Sequence, residues 1–280
     1  MASIREIKER IANVGSTEQI IRAMDMIAST KLNQARTQLE GVRPIYDGLK
    51  RQVEEVGSLK KAASHVFYEG REVKNSLYVV LTSDRGFAGS YNANILTKAL
   101  KHMNEGKNEK ILVVGSIGDS FFRKRKKNII RRITDVSDSQ VYYGTLSLAK
   151  WMTDLYLSEE VDEIFIAYTD FENVMTHHPM VEQLLPIDVP GEGTTEDSDR
   201  IYEQGIDTFI DHIIPLYLHM NLFRAYSESH TSEQAARMVN MDAAGKNAEE
   251  IIDDLNLQYN RQRQADITQE LSEIIGGSNF

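Results

Sequence analysis

Apolar residues at the start of the chain follow a heptad pattern. Alternating steps of three and four residues from Ile4 give 17 positions, and 14 of them are apolar. The polar exceptions are Glu18, Asp25 and Lys60. A repeat of about 3.5 residues held over this length is typical of a helix that supercoils against a partner helix. The pattern predicts a coiled-coil helix over residues 1–60, with a bend near residue 41 because Pro44 lacks an amide hydrogen.

The other end of the chain also has helical spacing. From Tyr202 to Ile275 there is one proline, and the apolar positions drift from a strict heptad. They include Ile206, Phe209, Ile213, Tyr217, Met220, Met241, Ala248, Ile251, Leu255, Ile267, Leu271 and Ile274. Small residues fill much of 225–245, which allows a neighbouring helix to approach closely. The spacing predicts a second coiled-coil helix over 202–275, on the order of 100 Å long, part of which must project from a compact domain.

Two long helices at opposite ends of one chain can pair with each other, most simply antiparallel. Residues 1–60 have 10 basic and 8 acidic side chains, and residues 205–280 have 5 basic and 12 acidic. Opposite net charges favour this pairing modestly, because salt screens surface charges. A bundle of several shorter helices is the alternative that the spacing leaves open.

The middle of the chain changes from helical spacing to short β-rich runs. The clearest strands are predicted at 76–82, 110–115 and 163–168, with weaker ones at 128–134 and 180–187. Helices are predicted between them, near 91–104, 117–126 and 144–158. Apolar strands that alternate with helices are typical of a parallel sheet covered on its faces. We therefore expect a Rossmann-like α/β domain over 75–190, inserted between the long helices and followed by a polar linker over 190–199.

Composition narrows the class of protein. The chain has 280 residues, 41% of them hydrophobic, no cysteine and a net charge of −10. The absence of cysteine excludes disulfides and thiolate chemistry, and the acidic balance argues against a nucleic-acid binder. The first ten residues lack the apolar core of a signal peptide, and no apolar run is long enough to cross a membrane.

Candidate chemistry is sparse. The glycine-containing turn Gly86–Ser90 follows the first strand, where a Rossmann domain binds pyrophosphate, yet neither G-x-G-x-x-G nor a P-loop lysine is present. His177 and His178 are adjacent, so they point in different directions and do not form a metal site. The basic run 123–127 ends a predicted helix, where cations suit the helix dipole. We predict no catalytic, cofactor-binding or metal site.

Three motifs together resemble the gamma subunit of F-type ATP synthases, of the bacterial type. The first is Ile11–Thr17 followed by Ile20–Ala28 and Lys31-Leu32, and the second is the turn Thr82–Gly89 with Asn92. The third is a C-terminal stretch with Ser227-Glu228, Ala235–Met238, Met241, Ala244, Asn247-Ala248 and the continuous run Leu257–Ile275. They occur in the family's order and span essentially the whole chain. Ala88 stands where relatives often have cysteine, and a thiol-switch insertion has no counterpart.

The resemblance implies a rotor without chemistry of its own. The paired helices would stand inside a ring of alpha and beta subunits, and the inserted domain would sit against the epsilon subunit and the membrane c-ring. Ion flow through the c-ring would turn the shaft and so drive ATP synthesis on the beta subunits. The resemblance also implies a peripheral location on the cytoplasmic side of the cell membrane, with no nucleic acid and no nucleotide bound.

The resemblance further implies which residues contact the beta subunit. Met24 matches a helix position that faces an acidic loop of beta. Arg263 and Gln264 match a pair that engages the beta catch loop, and Thr268 and Glu270 match further polar contacts.

Two other functions fit parts of the sequence. One is a coiled-coil scaffold or adaptor with an α/β domain, which would dimerise through its N-terminal heptads. The other is an enzyme that uses a nucleotide or phosphate at Gly86–Ser90, which would bind nucleotide as an isolated chain.

Overall fold

A computed structural model of the protein describes residues 3–103, 108–188 and 205–277. A long helix stands at each end, and strands and helices alternate between them. In chain order the elements are α1 (Ile4–Gly57), β1 (Asn75–Leu81), α2 (Tyr91–His102), β2 (Asn108–Val114), α3 (Ser116–Lys124), β3 (Ile129–Ile133), α4 (Val141–Leu157), β4 (Glu163–Phe171), β5 (His177–Leu185) and α5 (Ile206–Gly277). This order confirms the predicted fold class; the predicted linker 190–199 lies outside the described residues.

Helix α1 buries the heptad positions that the sequence marks. Buried seam residues are Ile7, Ala28, Leu32, Ala35, Leu39, Val42, Tyr46, Val53 and Val56. The helix continues through Pro44, and Lys60 lies beyond its end. One 54-residue helix therefore replaces the alternative of several shorter ones. The bend near residue 41 stays a prediction.

The five strands form one sheet in the order β3-β2-β1-β4-β5. The first four strands are parallel, as the sequence predicts, whereas β5 pairs antiparallel with β4, so the sheet is mixed. The cause is the length of the connection. Only residues 172–176 separate β4 from β5, which is enough for a hairpin and far too short for a crossover helix.

Alternate residues of β1 supply two hydrophobic cores, one on each face of the sheet. Leu77, Val79 and Leu81 pack in a cluster with residues of α1, α4 and α5. Tyr78 and Val80 pack in a second cluster with residues of α2 and α3. Both faces are therefore covered, which explains why β1 is apolar at almost every position.

Contacts divide the chain into two compact units. One comprises residues 1–30 with 237–280, and the other residues 31–236. Within the second unit α1 and α5 run antiparallel, since Val42 packs with Phe223 while Tyr46, further along α1, stacks on Tyr217, earlier in α5. Within the first unit a Cβ on Gly245 would lie 3.8 Å from Ile21, and Arg22 forms an ion pair with Glu249.

The end of β4 is completed by helix α5. The pairing of β4 with β1 ends at Ala167, so the backbone groups of the following residues on that side lack a strand partner. The Thr169 N–H donates to Ser229 Oγ at 2.9 Å, and the Ser232 hydroxyl donates to the Thr169 carbonyl at 3.3 Å. The Phe171 N–H donates to the Glu228 carboxylate at 3.0 Å. Side chains of α5 thus take the place of the missing strand.

A close approach between β1 and the start of α3 requires glycine. Gly115 has a φ of +98°, and a Cβ there would lie 2.2 Å from the Thr82 carbonyl oxygen. We expect Gly115→Ala to lower the free energy of unfolding by about 2–4 kcal/mol, because it adds both backbone strain and a clash with backbone that cannot move aside. Urea unfolding followed by circular dichroism measures this loss.

Gly144→Ala is the matched control. Gly144 lies in α4, and a Cβ there would meet nothing within 4 Å. This change should raise the free energy of unfolding by about 0.5–1 kcal/mol, since alanine favours a helix more than glycine does. Equal losses for the two variants would contradict the packing described for Gly115.

Candidate functional site

Met24 lies on an outward stripe of α1. Ile20, Met24 and Ile27 follow one another at four and three residues, which places them on the same side of the helix. Ile20 and Ile27 are exposed and Met24 is half-buried. The neighbouring Met26 is 72% exposed. This part of α1 therefore presents large apolar side chains outside its buried seam.

Four predicted contact residues lie on one broad face of α5. Arg263 and Glu270 share a stripe with Ile267 and Ile274, by helical spacing. Gln264 and Thr268 share the adjacent stripe with Leu271. All seven side chains are exposed, and the Thr268 hydroxyl donates to the Gln264 carbonyl at 2.8 Å. The structure thus groups these four polar residues with apolar ones that packing leaves uncovered.

Met24 and Arg263 do not belong to one small site. The contact of Ile21 with Gly245 puts Met24 near the level of Gly245. Arg263 lies 18 residues further along α5, which is roughly 27 Å at the helical rise. The predicted contacts therefore form two separate regions of the first unit.

Sequence reasoning missed the exposed apolar residues of this unit as candidate contacts. The periodic positions of α5 suggest packing, yet Ile251, Ile267, Leu271 and Ile274 are exposed, the last by 68%. Only the drift of these positions away from a strict heptad signals that they leave the seam.

The turn after β1 uses its polar groups internally. Asp84 accepts hydrogen bonds from the Ser116 N–H and hydroxyl, both at 2.9 Å, and from the Asp135 N–H at 3.0 Å. The Gly118 N–H donates to Thr82 Oγ1 at 3.0 Å. Protein side chains thus take amides at the start of α3 that could otherwise bind a phosphate.

No metal centre or membrane span is found in the described part of the chain. Residues 3–103, 108–188 and 205–277 contain no group of three or more His, Asp or Glu side chains that could hold a metal ion. Within the same ranges no helix is both long and apolar enough to cross a membrane. His178 contacts Glu172 at 3.0 Å, and burial together with His178 lowers the pKa of His177.

A buried arginine joins both long helices to the sheet. The Arg224 guanidinium lies 4.3 Å from the ring centre of Tyr46 and 4.9 Å from that of Tyr168. It also donates to Glu182 at 2.9 Å and to the Tyr168 hydroxyl at 3.0 Å. Burial alone would lower the pKa of Arg224, but Tyr168 and Glu182 outweigh it and raise the pKa, so the charge persists.

A second ion pair, between Arg43 and Glu228, lies near Arg224. Glu228 is 2% exposed and accepts from Arg43 Nε at 2.8 Å, in addition to the Phe171 N–H. Arg43 also donates to the Phe171 carbonyl at 2.6 Å. The hydrogen bond to Glu228 raises the pKa of Arg43. One carboxylate therefore ties α1, β4 and α5 together.

Two long terminal helices with an inserted five-stranded α/β domain place the chain in the class of long-helix proteins that carry an inserted α/β domain. The sequence model of the family described as ATP synthase matches residues 3–279. The ATP synthase gamma chain of Alkaliphilus metalliredigens is 38% identical over 98% of this chain and 97% of its own length. That of Moorella thermoacetica is 38% identical over 100% of this chain and 99% of its own.

Solved structures share the fold. The rotor of the Euglena gracilis mitochondrial ATP synthase matches with a TM-score of 0.68 at 17% identity, covering 94% of this chain and 98% of that one. A chain of its OSCP/F1/c-ring assembly matches with a TM-score of 0.71 at 18% identity, covering 99% and 93%. The protein belongs to the family of ATP synthase gamma chains, the non-catalytic rotor subunit of the central stalk.

We expect Glu228→Ala to lower the free energy of unfolding by about 2–3 kcal/mol, because it leaves the buried Phe171 N–H unpaired and removes the partner of Arg43. Glu228→Gln keeps an acceptor and should lose only about 1 kcal/mol. Urea unfolding measures both losses. Exposed Glu250→Ala on the same helix is the control and should change stability by less than about 0.5 kcal/mol. A loss in Glu228→Ala no larger than in the control would contradict the role of this carboxylate.

His219 makes stability depend on pH. Burial lowers the pKa of its ring, whose Nε2–H donates to the Tyr142 carbonyl at 3.1 Å. As the pH falls, this ring takes up a proton in the unfolded chain near its ordinary pKa of about 6.5, whereas in the folded protein it does so only at a lower pH. This contribution to stability is complete above that pH and is lost as the pH falls toward the folded-state value.

His219→Gln should therefore reduce the loss of stability between about pH 7 and pH 5, measured by urea unfolding at several pH values. His177, whose pKa is also lowered, should keep part of the slope. Exposed His212→Gln serves as the control. An unchanged slope in His219→Gln would show that the protonation of this ring does not oppose folding.

Proposed function

We propose that the chain transmits torque through two contact regions of its first unit, which meet the beta subunits of an ATP synthase. The observation that carries this proposal is the set of exposed apolar side chains on that unit. They are Ile20, Met26 and Ile27 on α1, and Ile251, Leu257, Ile267, Leu271 and Ile274 on α5. Exposed apolar surface of this extent is typical of a protein–protein interface.

The contact face of α5 mixes polar and apolar side chains, which suits a contact with the beta subunits that changes as the rotor turns. Arg263, Gln264, Thr268 and Glu270 lie among exposed apolar residues on one face of α5. Apolar residues gain from burial against any apolar partner surface, whereas a polar or charged residue distinguishes between partner groups. A rotor must contact three equivalent subunits differently at each step, and only differential contact can bias their conformations.

We assign separate roles to the two regions. Met24, half-buried on α1, would contact an acidic loop of beta at one level. Arg263 and Gln264 would engage the beta catch loop at a second level, with Thr268 and Glu270 as further polar contacts. Contacts at two levels along the shaft would resist its tilting, which contacts at one level would not.

The remaining partners follow from the rotor role. The α/β domain would contact the epsilon subunit and the c-ring, and the helices would contact the alpha and beta subunits. The subunit would be peripheral, on the cytoplasmic side of the cell membrane, and would bind neither nucleotide nor nucleic acid. The Euglena assembly that contains one of the matching chains includes F1 together with a c-ring, which supports this combination of partners.

Arg263→Ala tests the catch-loop contact. The side chain is exposed, so the fold should be retained, while ATP hydrolysis and ATP-driven ion pumping should fall several-fold in the complete ATP synthase reconstituted into vesicles. Hydrolysis measured alongside pumping separates a slower motor from an uncoupled one.

Gln258→Ala is the control, since Gln258 is also exposed on α5 but lies outside both stripes of predicted contact residues. Its effect should be small, because it changes neither stripe. Unchanged hydrolysis and pumping in Arg263→Ala, or equal losses in both variants, would refute the assignment of Arg263.

A further inference from the structure

A run of cations marks the turn between α3 and β3. Residues 119–132 contain seven basic side chains and one acidic one, in a chain whose net charge is −10. Helix α3 ends at Lys124, and β3, the edge strand of the sheet, begins at Ile129. The side chains from 123 to 126 are all exposed. The positive charge is therefore concentrated on one exposed turn that leads into the edge strand of the sheet.

Four of these seven cations have partners. Asp119 pairs with Arg123 at 2.5 Å and with Arg132 at 3.8 Å. Lys127 pairs with Glu109 at 2.8 Å. The Arg131 guanidinium lies 4.9 Å from the ring centre of Trp151. The other three cations are the consecutive residues Lys124, Arg125 and Lys126, and none of these contacts involves them.

Lys124, Arg125 and Lys126 have no acidic group within ion-pair distance in the described ranges of the chain. The Arg125 guanidinium lies 3.5 Å from the ring centre of Phe121, which holds it in place without neutralising it. The dipole of α3 favours cations in the last turn of the helix, where Arg123 and Lys124 lie, but its effect is confined to that turn and does not account for Arg125 and Lys126.

The backbone at Lys126 is also unfavourable for lysine. Its φ is +54°, in the left-handed region where glycine is preferred at the end of a helix. Lysine at this position therefore adds both conformational strain and repulsion from its neighbours. Among the described residues, the packing of α3 does not require a cation at this position.

We propose that Lys124, Arg125 and Lys126 form a docking surface for anionic phospholipid headgroups. An acidic protein is less suited, because lysine is depleted at protein interfaces and its long side chain loses much conformational entropy when a specific contact fixes it. Lipid headgroups diffuse within the membrane, so they can gather around such cations without a rigid surface of complementary shape. Ile130, 39% exposed at the start of β3, adds an apolar side chain that can enter the membrane interface.

Vesicle cosedimentation of the full-length chain tests the proposal. Binding should require phosphatidylglycerol in phosphatidylcholine vesicles and should weaken as salt is added. Lys124→Gln with Lys126→Gln should weaken it about thirtyfold. Lys31→Gln with Lys150→Gln removes the same charge from exposed positions outside the turn and should have little effect.

Lys126→Gly separates recognition from folding. It should weaken vesicle binding about fivefold while leaving thermal stability equal or higher, because glycine relieves the left-handed strain. Equal binding to vesicles of phosphatidylcholine alone, or equal losses in the control pair, would overturn the proposal. Binding to polyglutamate without binding to anionic vesicles would overturn it in favour of an acidic protein partner. These results do not involve the beta subunit, so they stand apart from the test of Arg263.

Discussion

The packing of the second unit depends on the hydrogen bonds that the backbone at the end of β4 makes. The strand runs past its pairing with β1, and the backbone groups of Thr169 and Phe171 would be left buried without partners. Each such group costs about 1–3 kcal/mol if unpaired. Ser229 and Glu228 of α5 accept from their N–H groups, so the helix is held at one register against the sheet. An apolar contact alone would tolerate sliding by a fraction of a turn, whereas these hydrogen bonds do not.

The same constraint extends to α1 through charge. Glu228 accepts from the β4 backbone and from Arg43 of α1, so one buried carboxylate joins three elements. Arg224 repeats the arrangement nearby, between the rings of Tyr46 and Tyr168. Such buried ions contribute less to stability than their number suggests, because desolvation offsets much of their attraction. Their effect is to fix which residues of α1, β4 and α5 meet within the second unit.

Much of this fold was predictable because its strands and seam have simple periods. The seam of α1 and the alternating faces of β1 bury the residues that the sequence marks. The direction of β5 could not be predicted in this way, because an apolar run has the same pattern in a parallel and in an antiparallel strand. The small residues of α5 were misleading as well. Ser229 and Ser232 suggest close helix packing, but they bond to a strand, and serine spacing is the same in both cases.

The functional surfaces were harder to predict for a related reason. Ile267 and Ile274 have the spacing of buried positions, yet α5 exposes them after Leu255, so the same pattern describes packing in one part of the helix and a free face in another. At the turn after α3 the sequence shows five adjacent cations, which the helix dipole explains in part. The left-handed backbone of Lys126 appears only in three dimensions, because lysine does not favour that conformation. In both places the residues that depart from what local packing would select are those with most reason to meet a partner.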